Sequence, residues 1–289
     1  MARFLSCLVM VLLVLHGAVL SSSDNSAESL DTCNRGDWRS INGRLIHVSV
    51  GRAGVWGVTI DKRIWYRSGS YENETYTGDT WVPINCCWEQ VDVGRDVVWA
   101  VPTNIGKTYY RQGITANTPY GLKWVPVVGS MTHVSVSQKG HVWGVSSNKN
   151  VYHRLGASVC SSMGAEWRRI GSGLVQISVG SGGVWGVTPG GYVYYREDTF
   201  GDHDSDAGGS HWSQISGRLL KYISSSDMIY GVNSVDEIVY RQGVSSFTPK
   251  GAGWQVVPGS LKQVESLSHV VWGIDAQLMV FVKETDDPI

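Results

Sequence analysis

Aliphatic residues alternate with polar ones in short runs along the chain. Val48 and Val50 alternate with His47 and Ser49, Val134 and Val136 with His133 and Ser135, and Ile177 and Val179 with Gln176 and Ser178. A period of two puts successive side chains on opposite faces of an extended strand. The runs end in turn residues such as Gly51-Arg52-Ala53-Gly54 and Asp61-Lys62. No segment beyond the N-terminal apolar run carries a capped helical period of 3.6. The pattern predicts an all-β fold.

A longer period lies over the short one. Trp38, Trp81, Trp124, Trp167, Trp212 and Trp254 are separated by 43, 43, 43, 45 and 42 residues. Each opens a similar unit, with an aliphatic residue three positions on (Ile41, Ile84, Val127, Ile170, Ile215, Val257). A second aromatic follows in each unit at Trp56, Trp99, Trp143, Trp185, Tyr230 and Trp272. Five units close on an aromatic-basic element: Tyr66-Arg67, Tyr110-Arg111, Tyr152-His153-Arg154, Tyr195-Arg196 and Tyr240-Arg241. The sixth ends Phe281-Val282-Lys283. Four short strands fit each unit, and six such units predict a six-bladed β-propeller of four-stranded blades. The first unit begins with the Trp38 strand and the last ends with three strands, so the N-terminal strand is expected to complete the last blade.

The six units resemble tectonin repeats in their opening Trp, their VWGV-like second strand (IYGV in the fifth) and their Tyr-Arg third strand. Over residues 38–283 the chain is similar to the egg lectins of the tectonin-repeat lectin family. That resemblance implies a propeller lectin for N-acetylglucosamine, galactose-type sugars or bacterial lipopolysaccharide. It also implies a role in egg or humoral defence, by agglutination and opsonisation. Tyr230 in repeat five and the ending of repeat six depart from the pattern, which weakens the expectation of a sugar site there.

The first 20 residues place Arg3 before an apolar run from Leu8 to Leu15 and then small residues, as a secretory signal does. Residues 21–37 form a lead segment, and one propeller domain is expected over 38–289. No later run reaches the ~18 apolar residues of a membrane span, so the expected location is extracellular. Four cysteines follow the signal: Cys33, Cys86, Cys87 and Cys160. An even number suits disulfides in an oxidising compartment. Three pairings exist, and the adjacent Cys86 and Cys87 either bridge each other or each reach elsewhere. Asn73-Glu74-Thr75 is an N-glycosylation sequon. With 24 basic and 25 acidic residues, net charge −1, the chain lacks the basic footprint that nucleic acid requires.

The 13 Trp and 13 Tyr suit sugar stacking, in which a ring covers the C–H face of a pyranose and polar groups fix its hydroxyls. They equally suit the wedge between neighbouring blades. Trp56 and Trp185 are candidates at blade clefts, where His47 and Gln176 are also expected. Arg67, Arg111 and Arg196 are candidates because a guanidinium donates bidentately to hydroxyls or phosphate; tying strand ends is their alternative role. In the variable loops after the third strand, repeats two and five share a form that offers Asn117, Tyr120 and Phe247. Trp88 lies outside the repeat's aromatic positions, where the first repeat has Leu45.

Asp202, Asp204 and Asp206 alternate before Gly208, as at the start of a calcium loop, but the final acidic ligand of that motif is missing. No cofactor is required by any motif, and calcium is the one ion this run could take. No nucleophile elbow, zinc-protease motif or complete phosphate loop is present. The expected function is therefore non-enzymatic glycan binding, and the sequence does not specify whether the chain is a homodimer. The rival readings are a protein-binding propeller and a secreted glycosidase with carboxylates drawn from distant blades.

Overall fold

The computed structural model describes residues 37–285 apart from 74–76, 105 and 204–207. Cys33 and the signal therefore lie outside the described residues, as do Glu74 and Thr75 of the sequon and Asp204 and Asp206. The described residues contain 24 strands and no helix. After β1 (Arg39–Arg44) come β2 (His47–Gly51), β3 (Gly54–Val58), β4 (Arg63–Arg67) and β5 (Trp81–Cys86), which form blade 1. Blade 2 is β6 (Trp88–Val93), β7 (Val98–Pro102), β8 (Lys107–Gln112) and β9 (Lys123–Val128). Blade 3 is β10 (His133–Val136), β11 (Val142–Val145), β12 (Asn150–Arg154) and β13 (Trp167–Ser172), and blade 4 is β14 (Gln176–Gly180), β15 (Gly183–Val187), β16 (Val193–Arg196) and β17 (Trp212–Ile215). Blade 5 is β18 (Tyr222–Ser225), β19 (Ile229–Val232), β20 (Glu237–Arg241) and β21 (Trp254–Ser260). Blade 6 joins β22 (Gln263–Leu267), β23 (Val270–Ile274) and β24 (Met279–Glu284) to β1.

All pairings within the blades are antiparallel, and the innermost strands contact one another in a closed ring. The N-terminal strand completes the last blade, as the phase of the repeat predicts. Ile41 pairs with Val280, the Leu45 amide donates to Leu278 O at 2.9 Å, and the Trp38 indole reaches Pro258 O at 2.8 Å. A structural blade is thus offset by one strand from the sequence unit: the opening Trp lies on the outer strand of the preceding blade, or, for Trp38, immediately before it.

Two devices hold neighbouring blades together. The second-strand aromatics are wedged between blades: Trp56 packs with Val91 and Trp88 of the next blade, Trp185 with Leu220 and Ile223, and Trp272 with Leu45 and Val48. Each buried ring contributes about 1.5–3 kcal/mol relative to exposure. Beside them an aliphatic residue sits on a glycine: a Cβ on Gly57 would lie 2.4 Å from Leu45 Cδ1, and one on Gly186 2.4 Å from Leu174.

The second device is polar and lines the axis. The Gln90, Gln176 and Gln263 amides each donate to and accept from one backbone residue of the next innermost strand, at Val134, Ile223 and Val48 respectively. Two positions on, Ser49, Asp92, Ser135, Ser178 and Ser224 accept backbone N–H bonds from Val93, Val136, Val179, Ser225 and Ser266. A strand at the axis has no partner on its inner edge, and these side chains supply one.

Candidate functional site

Strand direction divides the molecule into two faces. The loops after the third strands, such as 68–80, 112–122 and 242–252, emerge on one face together with the β2–β3 turn. The β3–β4 turn and the β5–β6 link emerge on the other.

On the loop face the recurrent arginines are internal. Arg67, Arg111, Arg154, Arg196 and Arg241 are buried, and each Nε donates to a loop carbonyl: Thr77 at 2.8 Å, Tyr120 at 2.9 Å, Met163 at 2.9 Å, Gly208 at 2.8 Å and Lys250 at 2.7 Å. Each guanidinium also lies 5.1–5.5 Å from the ring of the Trp that opens the next unit. Burial lowers the Arg111, Arg196 and Arg241 pKa values, though a guanidinium stays charged. The structure therefore corrects the assignment of Arg67, Arg111 and Arg196 to sugar: their donors tether the loops.

Trp56 and Trp185 are corrected likewise. Both are 0% exposed, and their indole N–H groups donate to Ala53 O and Gly182 O. A ring with no exposed area has no face to offer a sugar. His47 and Gln176 line the axis instead of a cleft.

The two similar loops fold alike. In each, a hydroxyl residue pairs with another three positions on: Thr115 N donates to Thr118 O at 3.2 Å, and Ser245 N to Thr248 O at 3.2 Å. Asn117 is exposed at one tip and Phe247, 95% exposed, at the other; Tyr120 is 45% exposed. They belong to blades 2 and 5, three steps apart in a ring of six and so on opposite sides. The structure does not bring them into one site. Asn73 is exposed in the 68–80 loop.

Asp202 is buried, with Oδ1 2.7 Å from His141 Nδ1 and Oδ2 accepting from the Lys139 amide at 3.3 Å. That pairing anchors the loop of blade 4 to blade 3. Among the described residues no three His, Cys, Asp or Glu side chains converge as a metal site.

The axial channel opens on the loop face in a pocket of about 370 Å³, lined by Arg52, Arg95, Gln138 and Asp227. Asp92 and Glu265 also line it and are held neutral more readily than ordinary carboxyls. Burial pushes Asp92 up to about 7, and burial with the nearby Asp92 charge pushes Glu265 well above the carboxylate range. Burial lowers His47 to about 4, and burial with His47 lowers His133 to about 3. Most of the polar side chains here are engaged in joining blades.

The other face carries a cleft of about 520 Å³ on the rim between blades 1 and 2, which sequence reasoning did not assign. Trp88, Tyr109 and Trp124 form one wall. Trp88 lies 4.5 Å from Trp124 and meets Tyr109 edge-on at 5.3 Å. Asn85 Oδ1 accepts both indole N–H groups, from Trp88 at 2.9 Å and Trp124 at 3.0 Å, so the exposed amide NH2 is what it offers a ligand. Asn104 and Lys107 line the opposite side, with Cys86 and Cys87 at one edge.

The repeat is broken at this point. The first repeat has Gly43, at φ 121°, where the second has Cys86, and Leu45 where the second has Trp88. A Cβ on Gly43 would lie 2.7 Å from the Trp81 indole, and in the second repeat the following Trp124 turns its N–H to the Asn85 side chain where Trp81 uses the backbone carbonyl of Asn42. Ala100 accordingly replaces the glycine at the Gly57 position. The out-of-place Trp88 was the one signal of this cleft in the sequence.

These features define a six-bladed β-propeller built from repeats, with an aromatic-walled cleft on its rim. The tectonin domain family matches residues 16–125 and 70–276. The chain belongs to the tectonin family. It is similar to the perivitellin-2 31 kDa subunit of Pomacea maculata, 29% identical over 100 residues that make up 34% of each protein. It is also similar to a tectonin β-propeller repeat-containing protein of Drosophila melanogaster, 30% identical over 106 residues, 34% of this chain and 8% of that one. The chain thus spans about a third or less of these relatives. Among solved structures, human WBSCR16 has a TM-score of 0.54 at 10% identity, covering 86% of this chain and 78% of that one, a likeness of fold alone. Among the described residues no helix is long and apolar enough to cross a membrane.

Proposed function

We propose that the protein is a secreted, non-enzymatic glycan-binding propeller that takes N-acetylglucosamine-containing or galactose-type sugars, including those of bacterial lipopolysaccharide. The rim cleft between blades 1 and 2 carries this reading. A half-buried indole and a phenol wall offer stacking area to a pyranose. The Asn85 amide, Asn104 and the Lys107 ammonium supply donors and acceptors for hydroxyl, acetamido or phosphate oxygens. Asn117, Tyr120 and Phe247 are further contact points on the loop face. Several weak contacts on one rigid ring reach useful strength by avidity on a sugar-coated surface. The kinship with an egg perivitellin subunit supports an egg or humoral defence role by agglutination and opsonisation.

The test is titration of the full chain with chitooligosaccharides, galactosides and lipopolysaccharide, followed by tryptophan fluorescence and glycan analysis. Binding without change in the glycan is expected. Tyr109→Ala should weaken it about tenfold, with the melting curve as a control for folding. Failure to bind any of these sugars, or binding unaltered in the variant, would refute the cleft; release of reducing ends would favour a glycosidase. If the protein instead binds a protein partner, free N-acetylglucosamine will not displace that partner.

A further inference from the structure

We propose that Cys86 and Cys87 form a vicinal disulfide, a redox-labile bond at the edge of the rim cleft. The fold carries the argument. Two of the three complete pairings of four cysteines require Cys160 to reach Cys86 or Cys87. Cys86 ends β5, and Cys87 lies in the link to β6, on the turn face. Cys160 lies in the loop after β12, on the loop face and two blades round from β5. A strand of five or six residues separates the faces by roughly 17–20 Å, whereas bridged cysteines have Cα atoms within about 7 Å.

The local backbone points the same way. Cys87 has φ 84°, in the left-handed region that a residue with a side chain seldom adopts. It is held there from both sides: its amide donates to Lys62 O at 2.7 Å, its carbonyl accepts from the Thr103 amide at 3.0 Å, and the Trp88 amide also donates to Lys62 O. This conformation brings the two exposed Sγ atoms to 2.6 Å. A strained conformation maintained by three hydrogen bonds indicates a local role, and here it turns the two side chains toward each other.

Formation needs only thiol–disulfide exchange. One Cys thiolate attacks a small-molecule disulfide such as oxidised glutathione, forming a mixed disulfide and expelling one thiolate. The neighbouring thiolate then attacks the protein sulfur of that mixed disulfide and expels the second. The protein loses two electrons and two protons, and the small-molecule disulfide becomes two thiols. Adjacent Cα atoms lie closer than bridged pairs usually do, so the bond is readily reduced. The proposal holds whether or not the cleft takes a glycan.

The test uses the full secreted chain, denatured and treated with iodoacetamide without reductant, then deglycosylated and digested with trypsin. The peptide spanning 68–95 should carry no label and be lighter by two hydrogen atoms than its dithiol form; after reduction it should take two labels. Two labels without reduction, or a cross-link from this peptide to any other cysteine peptide, would overturn the proposal. A second measurement uses Cys86→Ser, which should free a single labelled thiol at Cys87. A newly labelled Cys160 in that variant would overturn it as well, and because labelling is done on unfolded chain the result does not depend on the variant's stability.

Discussion

Gln263→Ala tests how the ring closes. Gln263 lies on the innermost strand of blade 6; its Nε2 donates to Val48 O at 2.6 Å and its Oε1 accepts from Val48 N at 2.9 Å. Both residues are buried, and 215 residues separate them in sequence. Truncation removes these two neutral hydrogen bonds and a longer one from Nε2 to the Tyr222 hydroxyl at 3.2 Å, and leaves two buried backbone groups of Val48 without a partner, a loss of roughly 2–5 kcal/mol. For a domain of this size that corresponds to a fall in melting temperature of roughly 4–20 °C. Thermal unfolding followed by tryptophan fluorescence provides the readout, and amide exchange at Val48 locates the change. Gln90→Ala removes the same pair of bonds between blades 2 and 3, at 2.8 and 3.1 Å, and should cost a similar amount. A Gln263→Ala protein that melts with the parent, while Gln90→Ala does not, would show that closure rests on the β1–β24 pairing alone.

Asp92 gives a pH prediction. Its folded pKa of about 7 lies above the unfolded value of 3.8, so the native state holds a proton that the unfolded chain releases. Its contribution is therefore full at low pH and is lost as pH rises toward and through about 7. Asp92→Asn should gain melting temperature relative to the parent across that interval, and a constant difference would count against it; the comparison cancels the opposite trend from His47 and His133. Arg241→Gln removes the donors that hold Lys250 O and Gly251 O. It should make the 242–252 loop susceptible to limited proteolysis and cost about 1.5–3 kcal/mol, whereas an unchanged digestion pattern would deny the tether. Trp88→Leu restores the residue of the first repeat; it should fold with a loss of about 1–3 kcal/mol and, because the buried Trp88 backs the half-buried Tyr109 and Trp124, weaken glycan binding through their displacement, measured by fluorescence titration.

The fold was legible because its determinants recur. The spacing of the opening tryptophans gives six blades, the alternation His47-Val48-Ser49-Val50 gives an innermost strand, and the unmatched strand at Trp38 gives the closure. Recurrence misled at the candidate site for the same reason. Trp56, Trp185 and the arginines at 67, 111 and 196 suggested ligand chemistry by type, but a residue present in nearly every repeat is what every blade needs in order to pack. The rim cleft depends on contacts that local patterns do not encode: Trp88 meets Trp124 36 residues away, and Asn85 accepts from both. What the sequence could reveal was the exception, with Cys86 in place of Gly43 and Trp88 in place of Leu45 in otherwise matching units. Cys86 and Trp88 both line the cleft, and there the Trp124 indole bonds the Asn85 side chain where the Trp81 indole of the first repeat bonds the backbone carbonyl of Asn42. In a propeller assembled from near-copies, shared residues report packing between blades, and a ligand site is better sought where one copy breaks the pattern and a neighbouring residue, here Ala100 for the glycine, changes with it.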